Sequence, residues 1–228
     1  MTVETAAAPS VLRKAHRYNA IFLFVFIVVH MVTHLSGVFG IETYNRVQDA
    51  FRIVYRNPIV ETVLLISITG QLFIGAYLLV RRIRAKGVKG FWGWLQVISG
   101  GVFFVFMAQH LYSLGMARLY FGLDTNFYWP ASVMSGPWFI YYFAPYYVLG
   151  VFALFAHIGA GVRFALMDNG SPVLAHRIGI SFLAVGALIS LAIPPIIAGA
   201  FFQIELPQEW IDYLKFYMPG FEPWQAAG

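Results

Sequence analysis

The run IFLFVFIVVHMVTHLSGVFG, residues 21–40, places His30 and His34 four residues apart in a stretch without a single charge. Four residues is about one helical turn, so both imidazoles fall on one face. An imidazole can ligate a metal, carry a proton or hydrogen-bond across helices. Four further histidines are present: His110 in FVFMAQHLYSLG, His157 in LFAHIGAG, and His16 and His176, each beside a basic residue. Cysteine is absent, which excludes disulfides, zinc–thiolate sites and iron–sulfur clusters held by this chain.

The elements that carry these histidines follow from composition. The 228 residues are 60% hydrophobic and 11% charged, against about 25% charged in a soluble domain. Mean hydropathy is +0.71. This is the composition of a membrane protein. About 20 apolar residues cross a bilayer as a helix, and five segments qualify: about 18–41, 62–80, 91–117, 138–162 and 178–204. The expected fold is therefore an all-α bundle of five transmembrane helices in one domain spanning 1–228. Pro130, Gly136 and Pro137 in WPASVMSGPW interrupt the apolar block before the fourth span. Pro194 and Pro195 are expected to kink the fifth. The opening MTVETAAAPSVLRK is too polar for a signal-peptide core, so Met1 is expected to belong to the mature protein.

Basic residues set the orientation. With the N-terminus cytoplasmic, the inner segments hold Arg13, Lys14, Arg17, Arg81, Arg82, Arg84, Lys86, Lys89, Arg163 and Arg177, and the outer ones hold Arg46, Arg52, Arg56, Arg118 and Lys215. The expected C-terminus is then periplasmic. The net charge of +5 follows this topology and does not indicate nucleic acid. Two outer segments, about 42–58 and 207–218, are amphipathic. Tyr44, Val47, Phe51 and Val54 recur at helical spacing in the first, and Trp210, Tyr213 and Phe216 in the second. Each either rests on the interface or caps the bundle.

Depth follows at about 1.5 Å per residue. His30 and His34 lie in the middle-to-outer part of the first span, and His110 lies near the outer end of the third. His157 is six residues before Arg163, about 9 Å from the inner end. His16 and His176 are expected at the inner interface. Two histidines on facing helices at one depth can ligate a haem iron from both sides. Gly37 and the Ser99-Gly100-Gly101 run offer room for the macrocycle. The alternative for each histidine is a structural interhelical hydrogen bond. Spacing does not choose between His30 and His34. One can ligate while the other bonds to a propionate, a quinone or the backbone.

The motifs VVHMVTHL, ETYNRVQ, NPIVETVLLISITGQLFIGAYLL, SGGVFFVFMAQHLYSLG and YYVLGVFALFAHIGAGVRFAL, in this order, resemble the five-helix cytochrome b membrane anchor of succinate dehydrogenase/fumarate reductase complexes over residues 14–200. In two-haem members of that family the first four spans each supply one histidine. The first and third bind a distal, outer haem. The second and fourth bind a proximal one near the iron–sulfur subunit.

By motif, His30 and His110 match the distal pair as haem iron ligands, with His34 as the alternative to His30. His157 matches the fourth-span ligand. Gln71, in TGQLFIG, stands where the second-span histidine is expected. Glutamine is a poor haem ligand, so the resemblance implies one haem b at the outer site, with His157 and Gln71 marking a doubtful second.

The resemblance further implies flavoprotein and iron–sulfur subunits docked on the cytoplasmic side of a bacterial inner membrane, attracted by RRIRAKGVKG. A quinone held in the bundle would exchange electrons with them in the succinate step of the tricarboxylic acid cycle, or in fumarate reduction. Flavin and dicarboxylate chemistry would reside on the other chains. Glu61, opening the second span, is the candidate proton carrier for the quinone or an ordinary acid at a helix N-terminus. Two other classes stay open: a stand-alone membrane cytochrome b acting in quinol electron transfer, and a haemless scaffold or permease that keeps the bundle.

Overall fold

A long apolar segment must satisfy its backbone polar groups internally, and a helix does so. In the computed structural model, which describes residues 10–224, five helices are long and apolar enough to cross a membrane. They are α1 (Ser10–Ser36), α3 (Pro58–Arg84), α4 (Gly90–Gly115), α6 (Pro137–Asp168) and α7 (Pro172–Ile197), with α2 (Ile41–Tyr55), α5 (Tyr128–Ser132) and α8 (Gln208–Tyr217) between and after them. Residues 1–9, expected to open the mature chain, lie outside the described part.

Helices α3 and α6 take in their expected spans and run on into polar residues, because a helix does not stop where hydrocarbon stops, whereas α1 ends at Ser36, short of residue 41, and α4 at Gly115, short of residue 117. Asn57 starts α3: its side chain accepts from the Ile59 amide at 3.1 Å, and Pro58 occupies the first turn. The fifth span ends earlier than expected, at Ile197 rather than near residue 204. Gly199, at φ +78°, closes it: its amide reaches the Ile196 carbonyl and the Ala200 amide reaches that of Pro195. Pro194 and Pro195 sit inside the final turn.

The five long helices form a ring in which each packs on two neighbours, in the order α1, α3, α4, α6, α7 and back to α1. The α6–α7 seam is the tightest and is built on glycines. A Cβ at Gly159 would lie 2.6 Å from Phe182, and Gly186 receives the Phe155 ring, while on the α4 side Gly150 receives the ring of Phe106. Across the ring, α1 and α4 make little backbone contact.

At the end opposite the N-terminus, the short elements pack into the densest core. Tyr44, Phe127, Met134, Trp210, Tyr213 and Phe221 are buried there. Helix α8 therefore caps the bundle, with Phe216 left exposed. In α2 the inward face runs through Tyr44 and Gln48, and the Gln48 amide donates to the Thr125 carbonyl at 3.2 Å. Val54, expected on that face, is exposed. At that end of α2 the packed residue is Tyr55, edge-on to Phe26 of α1 at 5.6 Å.

Candidate functional site

His30 and His34 point into the bundle from α1 and meet His110 from α4. The ring centroids of His30 and His110 are 6.2 Å apart, and those of His30 and His34 are 4.6 Å apart. The Nε2 atoms of His30 and His34 approach to 3.3 Å. Aromatic walls surround the three imidazoles. Phe26 stacks on His30 at 5.6 Å, Phe106 stacks on His110 at 5.7 Å, and Trp129 of α5 lies 5.0 Å from His110. Such walls exclude water and leave imidazole nitrogens with few partners.

The second nitrogen of a ligating histidine is usually hydrogen-bonded, which fixes the tautomer. His34 has such a partner: the Tyr44 hydroxyl lies 3.4 Å from its Nδ1. Burial raises the ionisation of the Tyr44 phenol well above the usual tyrosine range, so the neutral hydroxyl is kept. Two metal–imidazole bonds of about 2 Å each place the ring centres about 6 Å apart across one metal. His30 and His110 have that spacing. Among the described residues no three His, Cys, Asp or Glu side chains converge to hold a bare metal ion. An imidazole pair suits a group that brings its remaining ligands with it, as a porphyrin does. Spacing favours His30 as the α1 member of the pair, and the Tyr44 partner favours His34.

The room expected for a macrocycle at Gly37 and Gly100 is not there. A Cβ at Gly37 would lie 2.8 Å from Ile196 and 3.2 Å from Tyr44, and one at Gly100 would lie 2.9 Å from the His157 ring. Protein side chains fill both places, since the close helix approach uses them. Gly101 alone faces open space.

Nearer the N-terminal end, His157 of α6 lies on Gly100, with its Nδ1 3.0 Å from the Gln96 carbonyl. Gln71 of α3 is engaged in a clasp with α1: Asn19 donates to its Oε1 at 2.9 Å and to the Ser67 carbonyl at 2.8 Å. The Gln71 amide donates to the His16 carbonyl at 3.2 Å. The His16 ring packs against α3, with its Nε2 3.1 Å from a Cβ placed at Gly75. His176 meets Trp92 edge-on at 6.2 Å.

Glu61 sits in the first turn of α3 beside two cations, Arg118 at 2.5 Å and Arg56 at 3.7 Å. Arg118 belongs to a π-helical turn, Met116–Tyr120, that follows α4. Glu61 thus ties three elements together at the end away from the N-terminus, and as a proton carrier it would have to leave two guanidiniums.

Tyr44, Trp129, Asn19 and Gln96 were not singled out as site residues in sequence. Asn19 and Gln96 carried a signal, each as an amide inside an apolar span. The fold and composition define a multi-pass helical membrane protein with buried interhelical histidines. Compared with family models, curated proteins and solved structures, the chain finds no match.

Proposed function

We propose that this chain is the membrane-anchor and haem b subunit of a succinate dehydrogenase/fumarate reductase-type complex, passing electrons between an iron–sulfur subunit and quinone. The observation that carries the reading is the His30–His110 pair, donated by opposite helices at a centroid spacing of 6.2 Å. The order of the histidine-bearing motifs along the chain supports it.

In this reading α1 and α4 hold the two axial imidazoles, His30 and His110, with His34 beside them. A bound haem supplies a one-electron relay. Phe26, Phe106 and Trp129 keep water from the imidazoles. On α3, Gln71 spends its amide on the clasp with α1, so His157 meets no imidazole from that helix. One haem per chain is the stoichiometry that follows. Flavoprotein and iron–sulfur partners would dock at the end rich in arginine and lysine, in the cytoplasmic membrane of a bacterium.

The test is purification from native membranes, a reduced-minus-oxidised spectrum and a pyridine haemochrome assay. The expected result is about one haem b per chain, from one bis-histidine pair, with flavin co-purifying. A chain free of haem would remove the reading. Haem without flavin would move it to a stand-alone cytochrome b.

A further inference from the structure

Charge is divided unequally between the two ends of the bundle. Among the described residues all five ion pairs lie at the end away from the N-terminus, and they use Arg46, Arg52, Arg56 and Arg118. The other end carries ten arginines and lysines, and Asp168 is its one acid among the described residues. Two of these cations are turned into the bundle.

Arg163 of α6 lies 4.8 Å over the Trp92 ring and 5.9 Å over the Phe164 ring. Arg82 of α3 lies 5.3 Å over the same Phe164 ring and donates to the neutral Gln96 side chain. Neither forms an ion pair among the described residues, and the Arg163 Nε is buried with no hydrogen-bond partner. Aromatic faces offset part of the cost of a desolvated guanidinium. They do not satisfy its N–H groups, and a buried donor left unmade is expensive.

The geometry points to an anion site here, and its depth identifies the anion as the phosphate of an anionic phospholipid. Arg163 lies five residues before the end of α6 and Arg82 two before the end of α3. At about 1.5 Å per residue that is roughly 3 to 8 Å inside the helix ends. Trp92 marks the same level, where tryptophans anchor to lipid headgroups. A planar guanidinium presents paired donors that match phosphate oxygens. Basic pockets between helices bind acidic headgroups in this way. A protein docking on the end would meet Arg81, Arg84, Lys86 and Lys89 first, whereas a lipid arrives from the side at the right depth.

The experiment is native mass spectrometry of the delipidated full chain, titrated with phosphatidylglycerol or phosphatidylcholine. Phosphatidylglycerol should bind about tenfold more tightly than phosphatidylcholine, and the Arg82→Gln/Arg163→Gln double variant should lose most of that preference. Arg46→Gln, at the opposite end, should keep it within about twofold. Should the double variant fail to fold, competition on the unmodified protein decides: inorganic phosphate at the lipid's concentration should leave phosphatidylglycerol bound. Equal binding of the two lipids, an unaffected double variant, or displacement by inorganic phosphate would overturn the assignment.

Discussion

The Nε2 atoms of His30 and His34 lie 3.3 Å apart, at the length of a hydrogen bond, so one ring donates there and the other accepts. A nitrogen bound to iron has no lone pair left for a neighbour. It has no proton to donate either, so ligation through Nε2 by His30 or by His34 would break this contact and leave the other ring's Nε2 without its partner.

The first prediction separates them. His110→Ala should abolish the haem b absorbance of the purified chain, and His34→Ala should leave it largely intact. Retention in His110→Ala, or loss in His34→Ala with retention in His30→Ala, would reassign the ligands. The same difference spectrum reads all three variants.

The clasp between α1 and α3 can be weighed by Gln71→Ala. Two interhelical hydrogen bonds are lost, to Asn19 and to the His16 carbonyl. Such bonds in membranes contribute about 0.6 kcal/mol each on average, so a loss of about 1 kcal/mol is expected. Unfolding in mixed micelles measures it, and an unchanged midpoint would show that the clasp adds nothing.

Two glycines of similar sequence surroundings should respond in opposite ways. Gly159→Ala drives a methyl toward Phe182 at 2.6 Å and toward the Gly179 carbonyl at 3.3 Å, and overpacking of this kind costs about 1–3 kcal/mol. Gly101→Ala meets nothing within 4 Å and should be neutral or slightly stabilising. Thermal unfolding of the pair checks this, and equal effects would contradict the packing described for α6 and α7.

The ion pairs at the end away from the N-terminus should be graded by exposure. The Arg118 and Glu61 side chains are 22% and 23% exposed, whereas Arg46 and Glu42 are 73% and 88% exposed. A double-mutant cycle with Arg118→Gln and Glu61→Gln should give a coupling of about 1 kcal/mol, and the Arg46–Glu42 cycle one close to zero. Salt should weaken the first coupling only in part, because a half-buried pair is screened less than an exposed one.

The five spans were legible because hydrocarbon thickness and residue chemistry act directly on the sequence. The break before α6 was legible for a similar reason, since Pro137 and Gly136 act locally. Depth along the spans also brought His30 and His110 to one level. The clasp was not legible: Asn19 and Gln71 are 52 residues apart, and no pattern in either helix records which faces will meet. His157 looks alike in sequence whether it ligates or packs, and only the nearby Gln96 carbonyl and Gly100 reveal the contacts it makes. The contact of His16 with Gly75 was not legible either, because an apolarity count starting at Tyr18 does not register that α1 begins at Ser10.

Asn19 and Gln71 belong to helices that leave the ribosome before α6 and α7. Their amides can join before those two have been made, so the α1–α3 pair has a lock of its own. The late helices, whose glycines accept rings rather than hydrogen bonds, then close against a pair already in register.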